Sequence, residues 1–178
     1  PSCSQYTASE QALIIENHII KALRTYDSKA MLAHLAYVSS LKAPEKVKPA
    51  EGIFLEFAPF IRRTDRDLSD TTVVENGQCN ADNLKYLKDN LKVFPVETAV
   101  VLDYWLDVSM ASSWKKPAVK LPWHPEVFKS DIDMYGKLGI RNVTSFAVYM
   151  DSAYFKNYPG TDDIREYGEV LDTYRLSK

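Results

Sequence analysis

Residues 97–107 read Glu97-Thr98-Ala99-Val100-Val101-Leu102-Asp103-Tyr104-Trp105-Leu106-Asp107, an apolar run that ends in an acid and two aromatic rings. Continuous apolar residues without polar alternation predict a strand buried on both faces, the habit of parallel sheets covered by helices. An acid and an indole at the exit of such a strand lie where α/β folds place their chemistry. Ile53–Phe57 has the same form and leads into Pro59, Phe60, Arg62 and Arg63. The two exits point to a carbohydrate or other small-molecule site before they point to a reaction.

Outward from these runs, the pattern predicts helices between strands. Thr7-Ala-Ser-Glu10 fits a capping box, and Leu13, Ile14, Ile20 and Leu23 carry a helix to about Arg24. A strand is expected over Met31–Val38, then a connector with prolines and lysines over Ser39–Gly52, then the strand Ile53–Ala58. Arg62–Asn80 is polar and long enough to read as a functional loop. A helix over Asp82–Leu91 precedes the third strand, Glu97–Tyr104. After a loop over Ser109–Pro125 come a helix over Glu126–Leu138, stopped by Gly139, and a fourth strand over Val143–Met150. A loop with Tyr154, Tyr158, Pro159 and Gly160 leads to a last helix, Asp163–Leu176.

Alternation of this kind predicts an α/β fold, a parallel sheet with right-handed crossovers in one domain over residues 1–178. Four strands suit a small doubly wound sheet, or half of an eight-stranded barrel. A whole (β/α)8 TIM barrel takes roughly 250 residues, beyond the 178 present. A chain that starts on a helix without its preceding strand is what a cut barrel would look like.

Composition narrows the partners. With 26% charged residues and a net charge of −2, there is no electrostatic case for nucleic acid. No apolar run is long enough to span a bilayer, and the first helix is interrupted by Glu16, Asn17 and His18. The chain opens at Pro1 without a basic-then-apolar leader, so a signal peptide is expected to be absent or already removed. Cys3 and Cys79 form no CxxC motif, and His18, His34 and His124 are scattered, so no metal or cofactor is expected. Nucleotide-loop, zinc-protease and serine-hydrolase signatures are absent.

A family resemblance rests on the order of several short motifs. These are Ser9-Glu10 entering the helix with Asn17, His34-Leu-Ala-Tyr37, the strand ending Phe57-Ala-Pro59 followed by Arg62 and Arg63, and Asp67-Leu68. The strand ending Asp103-Tyr104 and the helix from Asp131 to Gly139 before a β-strand continue the series. Together they resemble the later half of the barrel in the DUF4838 family, glycoside-hydrolase-like TIM-barrel proteins of Bacteroidetes. The resemblance implies a carbohydrate substrate, a periplasmic or extracellular location, and either a missing half-barrel or self-association. It also implies that Asp103 ends the seventh barrel strand, where many retaining glycosidases carry the nucleophile, while the general acid ends a strand outside this chain. Glycoside hydrolysis canonically needs two carboxyl groups, about 5 Å apart for retention and about 6.5–9.5 Å for inversion.

Each candidate residue carries a functional and a structural reading. Asp103 is the favoured catalytic carboxylate, or it caps the following turn or pairs with Arg62 or Arg63. Glu56 is a second acid if its face lines a barrel interior, or an exposed edge residue. Arg62 and Arg63 clamp a substrate carboxylate, or anchor their loop. Tyr104, Trp105 and Trp114, with Trp123, form a sugar-stacking surface, or fill a core. Asp107 and Asp151 bind hydroxyls or activate water, or are solvated loop acids; Tyr37 donates to a sugar hydroxyl, or packs. The leading expectation is glycan hydrolysis. Its rivals are a non-catalytic glycan-binding or scaffold module, and an independent sheet that binds another small molecule.

Overall fold

Strands β1 (Leu32–Tyr37), β2 (Ile53–Ala58), β3 (Val100–Asp103) and β4 (Asn142–Ser145) form one all-parallel sheet in the order β1-β2-β3-β4. Every neighbour is the next strand in sequence, so the order never reverses as it does at the switch point of a doubly wound sheet. The computed structural model describes residues 3–73 and 77–176; Pro1 and the Cys3 thiol lie outside what is described. Helices α1 (Ala8–Leu23), α2 (Asn80–Asn90), α3 (Pro125–Lys137), α4 (Ser152–Asn157) and α5 (Asp162–Leu176) alternate with the strands or follow them. None is long and apolar enough to cross a membrane.

Local chemistry sets these boundaries. The capping box at Thr7 forms in both directions: Glu10 N–H donates to Thr7 Oγ1 at 3.2 Å, and Thr7 N–H to Glu10 Oε2 at 2.9 Å. Glu10 also accepts from the amides of Glu45 and Lys46, which ties the proline-bearing connector to the start of α1. These amides, that of Lys46 foremost, hold the Glu10 carboxyl below the usual carboxylate range. Gly139, at φ +87°, ends α3 in the left-handed conformation that glycine adopts without a steric penalty.

The core lies on one side of the sheet. Burial alternates along β1, β2 and β3: His34, Ala36, Ile53, Leu55, Phe57, Val101 and Asp103 are buried. With Leu13 and Ile20 of α1, Leu87 of α2, and Phe128, Ile132 and Tyr135 of α3, the apolar members build the main hydrophobic cluster. On the opposite face Leu35 is 42% exposed and Phe146, just past β4, is 41% exposed. Phe54, Glu56 and Leu102 are half-buried between them. This corrects the expectation of burial on both faces. The runs lack polar alternation because both faces are apolar, yet helices cover only one.

Smaller corrections follow from turn geometry. Residues Val96–Thr98 form a 3-10 turn, so β3 starts at Val100. β4 stops at Ser145, and Tyr149, at φ 68°, turns the chain in what was expected to be strand. The expected loop after it holds the short helix α4, whose N-cap Asp151 accepts from the amides of Ala153 and Tyr154.

Candidate functional site

Below the strand ends, on the helix-covered side, Arg62 joins two carboxylates. Its Nη1 donates to Asp103 Oδ2 at 2.8 Å and its Nη2 to Asp131 Oδ2 at 2.6 Å. Tyr135 OH donates to Asp103 Oδ2 at 2.8 Å, and the Tyr104 amide donates to Asp103 Oδ1 at 2.8 Å. Asp131 also accepts from Trp105 Nε1 at 3.0 Å and from the Leu68 amide at 2.9 Å. Asp103 and Asp131 are wholly buried.

The electrostatics of this cluster are those of two acids sharing one guanidinium. Burial opposes the charge on Arg62, but Asp103 and Asp131 outweigh it and hold its pKa above the ordinary arginine value. Burial pushes Asp131 up to about 6; Arg62 pulls against that shift and the charge of Asp103 adds to it. Burial, with Asp103 beside it, also raises the Tyr135 phenol well above its usual value.

Of the two readings of Asp103, this geometry gives the structural one, a pairing with Arg62. Its carboxylate accepts three hydrogen bonds inside the protein and faces the helices, because Asp103 shares its side of β3 with buried Val101. Arg62 likewise takes its loop-anchoring reading, with both terminal nitrogens donating to buried carboxylates. Trp105 is 4% exposed and packs edge-on against Phe128, centroids 4.9 Å apart, so it belongs to the core. Its neighbour Tyr104 falls on the other face. The cluster also anchors the long loop after β2, with Asn80 Nδ2 donating to the carbonyls of Arg63, Arg66 and Asp67.

The open face carries a different arrangement at its C-terminal rim. Tyr37, Phe60, Tyr104 and Phe146 form an arc, with successive ring centroids 5.6, 5.1 and 5.4 Å apart. Trp114, 59% exposed, stands 6.2 Å from Phe60. These rings surround a hollow of about 300 Å³ with Leu35 and Leu102 in its lining and, among the described residues, Asp107 as its only carboxylate. A second hollow of about 390 Å³ shares Phe60, Tyr104 and Asp107 and extends to Arg63, Asp65 and His124.

Asp107 spends one oxygen on the Ser109 amide, at 2.7 Å. Arg63 is held by Asp65 at the mouth of the second hollow. Glu56 lies on the same face as Tyr104 but deeper along β2, and its carboxylate makes no hydrogen bond or ion pair among the described residues. Burial raises the Tyr104 phenol pKa, and nearby Tyr37, Asp103, Asp107 and Glu56 add to the shift, so its hydroxyl stays protonated at neutral pH. Asp151 caps α4 and pairs with Lys116. Trp123 donates to Glu166. Both therefore stand apart from the arc.

Backbone strain gathers at the same rim. Val38, Ser113, Trp114 and Tyr149, the non-glycine residues with positive φ among the described residues, all lie in segments that leave the C-terminal ends of strands. Such conformations cost on the order of 1–3 kcal/mol each and cluster at functional sites. Tyr149 OH donates to the Trp114 carbonyl at 3.2 Å, which braces the exposed indole.

The sequence reading names Phe60 at a strand exit without giving it a role and overlooks Phe146, although Phe146 directly follows β4. It also missed Asp131, which shares a helical stripe with apolar Phe128, Ile132 and Tyr135 and was marked by that spacing as buried. Among the described residues no group of His, Cys, Asp and Glu has metal-site geometry, and His34 lies buried between Ser9 and Glu16. No family model, curated protein or solved structure matches this chain.

Proposed function

We propose that this chain is the second half of a (β/α)8 barrel of the DUF4838 type and that its aromatic rim binds a sugar ring of a glycan. The observation that carries the reading is the arc Tyr37-Phe60-Tyr104-Phe146, with exposed Trp114 above it and Asp107 among the rings. Aromatic faces suit the apolar C–H face of a pyranose, and a carboxylate accepts from its hydroxyls. The hollows, at about 300 and 390 Å³, fall at the lower end of small-molecule sites. The half-barrel part of the reading is supported by an unreversed strand order, helices on one face only, and apolar side chains on the other, as in a barrel interior.

Hydrolysis by the complete barrel uses Asp107 as this half's carboxylate, with its partner acid contributed from beyond these four strands. Asp103 serves to hold the loop after β2. The lone acid in the aromatic hollow favours a second reading, glycan binding without turnover, for the chain by itself. A periplasmic or extracellular location accompanies either. The test is a glycan array and an aryl-glycoside panel with the intact chain, alongside Trp114→Ala and Asp107→Asn. Binding that both substitutions weaken is expected; no response from any sugar overturns the proposal.

A further inference from the structure

The open face has the layering of a closed interior and one feature that such an interior cannot leave alone. Leu35, Glu56, Val100 and Asn142 are register partners and form one row across the four strands. Two residues on, Tyr37 pairs with Ala58 and Leu102 with Thr144 on the same face. In these two rows Glu56 is the only acidic or basic side chain, and none of the described residues hydrogen-bonds or ion-pairs with it.

The outer edges of the sheet are equally unfinished. β1, Leu-Ala-His-Leu-Ala-Tyr, and β4, Asn-Val-Thr-Ser, occupy the two ends of the strand order, and neither carries a proline, lysine or acid to blunt its free backbone groups. Four more parallel strands satisfy both edges at once, and eight strands enclose an interior just wide enough for side chains to fill.

A second copy of this chain offers strands of the right polarity, but it sets Glu56 opposite Glu56 in a space without water. Two desolvated carboxylates in one small site repel, and one is forced to protonate. We infer that the open face is covered by a partner unit of four parallel strands with a different sequence, which presents a lysine or arginine to Glu56. The inference rests on the half-barrel reading above and adds to it the charge of the missing layer.

The chain itself supplies the probe, as a charge-reversed copy. Sedimentation velocity and native mass spectrometry are run at pH 7 on the natural chain, on Glu56→Lys, on Glu56→Leu, and on an equimolar mixture of the natural chain with Glu56→Lys. Circular dichroism checks that each variant is folded, and Glu56→Arg replaces Glu56→Lys if the latter is not. The expected result is a 1:1 mixed pair at least about tenfold tighter than the natural chain with itself. Adding Leu35→Glu to either member should abolish that pair.

A natural chain that pairs with itself as tightly as the mixture does overturns the cation while leaving the half-barrel reading in place. So does a mixed pair that Leu35→Glu does not disturb, because it uses another surface. If no combination associates, not even Glu56→Leu with itself, the half-barrel reading falls together with the inference.

Discussion

Arg62 and Asp103 form a wholly buried ion pair, Nη1 to Oδ2 at 2.8 Å, on the face of the sheet opposite the aromatic rim. The adjacent residue, Tyr104, lies in the hollow on the other side. One peptide step at the end of β3 therefore separates the group that holds the loop from a group that lines the open hollow.

Asp103→Asn should act on stability and leave the proposed sugar site alone. The amide keeps its place but loses one charge partner of Arg62, and a hydrogen bond to a charged group is worth roughly 1.5–3 kcal/mol. Urea unfolding should report a loss of that order, with glycan affinity of the folded chain unchanged. A loss of binding at full stability would return Asp103 to the site.

Arg62→Met should be far more damaging, because it strands Asp103 and Asp131 together without a cation. Breaking a buried pair from one side typically costs about 3–5 kcal/mol. Either a chain that no longer folds or a large drop in the denaturation midpoint is expected, and the double variant Arg62→Met with Asp131→Asn should recover part of the loss.

Asp131 gives the chain a pH signature. Its carboxyl is raised from 3.8 to about 6 on folding, so the folded state holds more proton than the unfolded state between those values. This contribution is fully present below pH 3.8 and fades as the pH rises through about 6. Relative to Asp131→Asn, the natural chain should lose on the order of 2–3 kcal/mol across that window, read as chemical denaturation at a series of pH values. A difference that is flat with pH, or that grows in the opposite direction, would contradict the raised value.

The one-sided core predicts opposite costs for two leucines of the sheet. Leu55→Ala empties a fully buried, helix-facing position and should cost about 2–5 kcal/mol, whereas Leu35→Ala on the open face should cost under about 1 kcal/mol. Equal costs in the isolated chain would mean that the open face is covered.

At the rim, Tyr104→Ala and Trp114→Ala should each weaken sugar binding about tenfold, or 1.4 kcal/mol. Trp105→Phe, which loses the indole bond to Asp131, should instead lower stability with little change in affinity. Titration calorimetry and thermal melts separate the two behaviours.

Much of the scaffold was legible because it rests on local chemistry. The Thr7 box, the bounds of β2 and the Gly139 stop each depend on a few neighbouring residues. The alternation of Val101 with Leu102 and of Asp103 with Tyr104 was also readable, but which side the helices would cover was not. Both sides of β3 are apolar, and the choice depends on contacts with Phe128, Ile132 and Tyr135, far away in the chain. For that reason the sequence leaves Asp103 with two readings, catalytic carboxylate or partner of Arg62. Helix α4 escaped because six residues between Asp151 and Tyr158, followed by Pro159-Gly160, look like a turn. The aromatic arc draws one ring from each strand's exit, so no local window contains it.

The loop after β2 is gripped from underneath, by Asn80 and by the Arg62 and Asp131 contacts. Its anchor and its exposed surface are thus separable: the outward-facing residues can be exchanged for others without loosening the bolt that holds them.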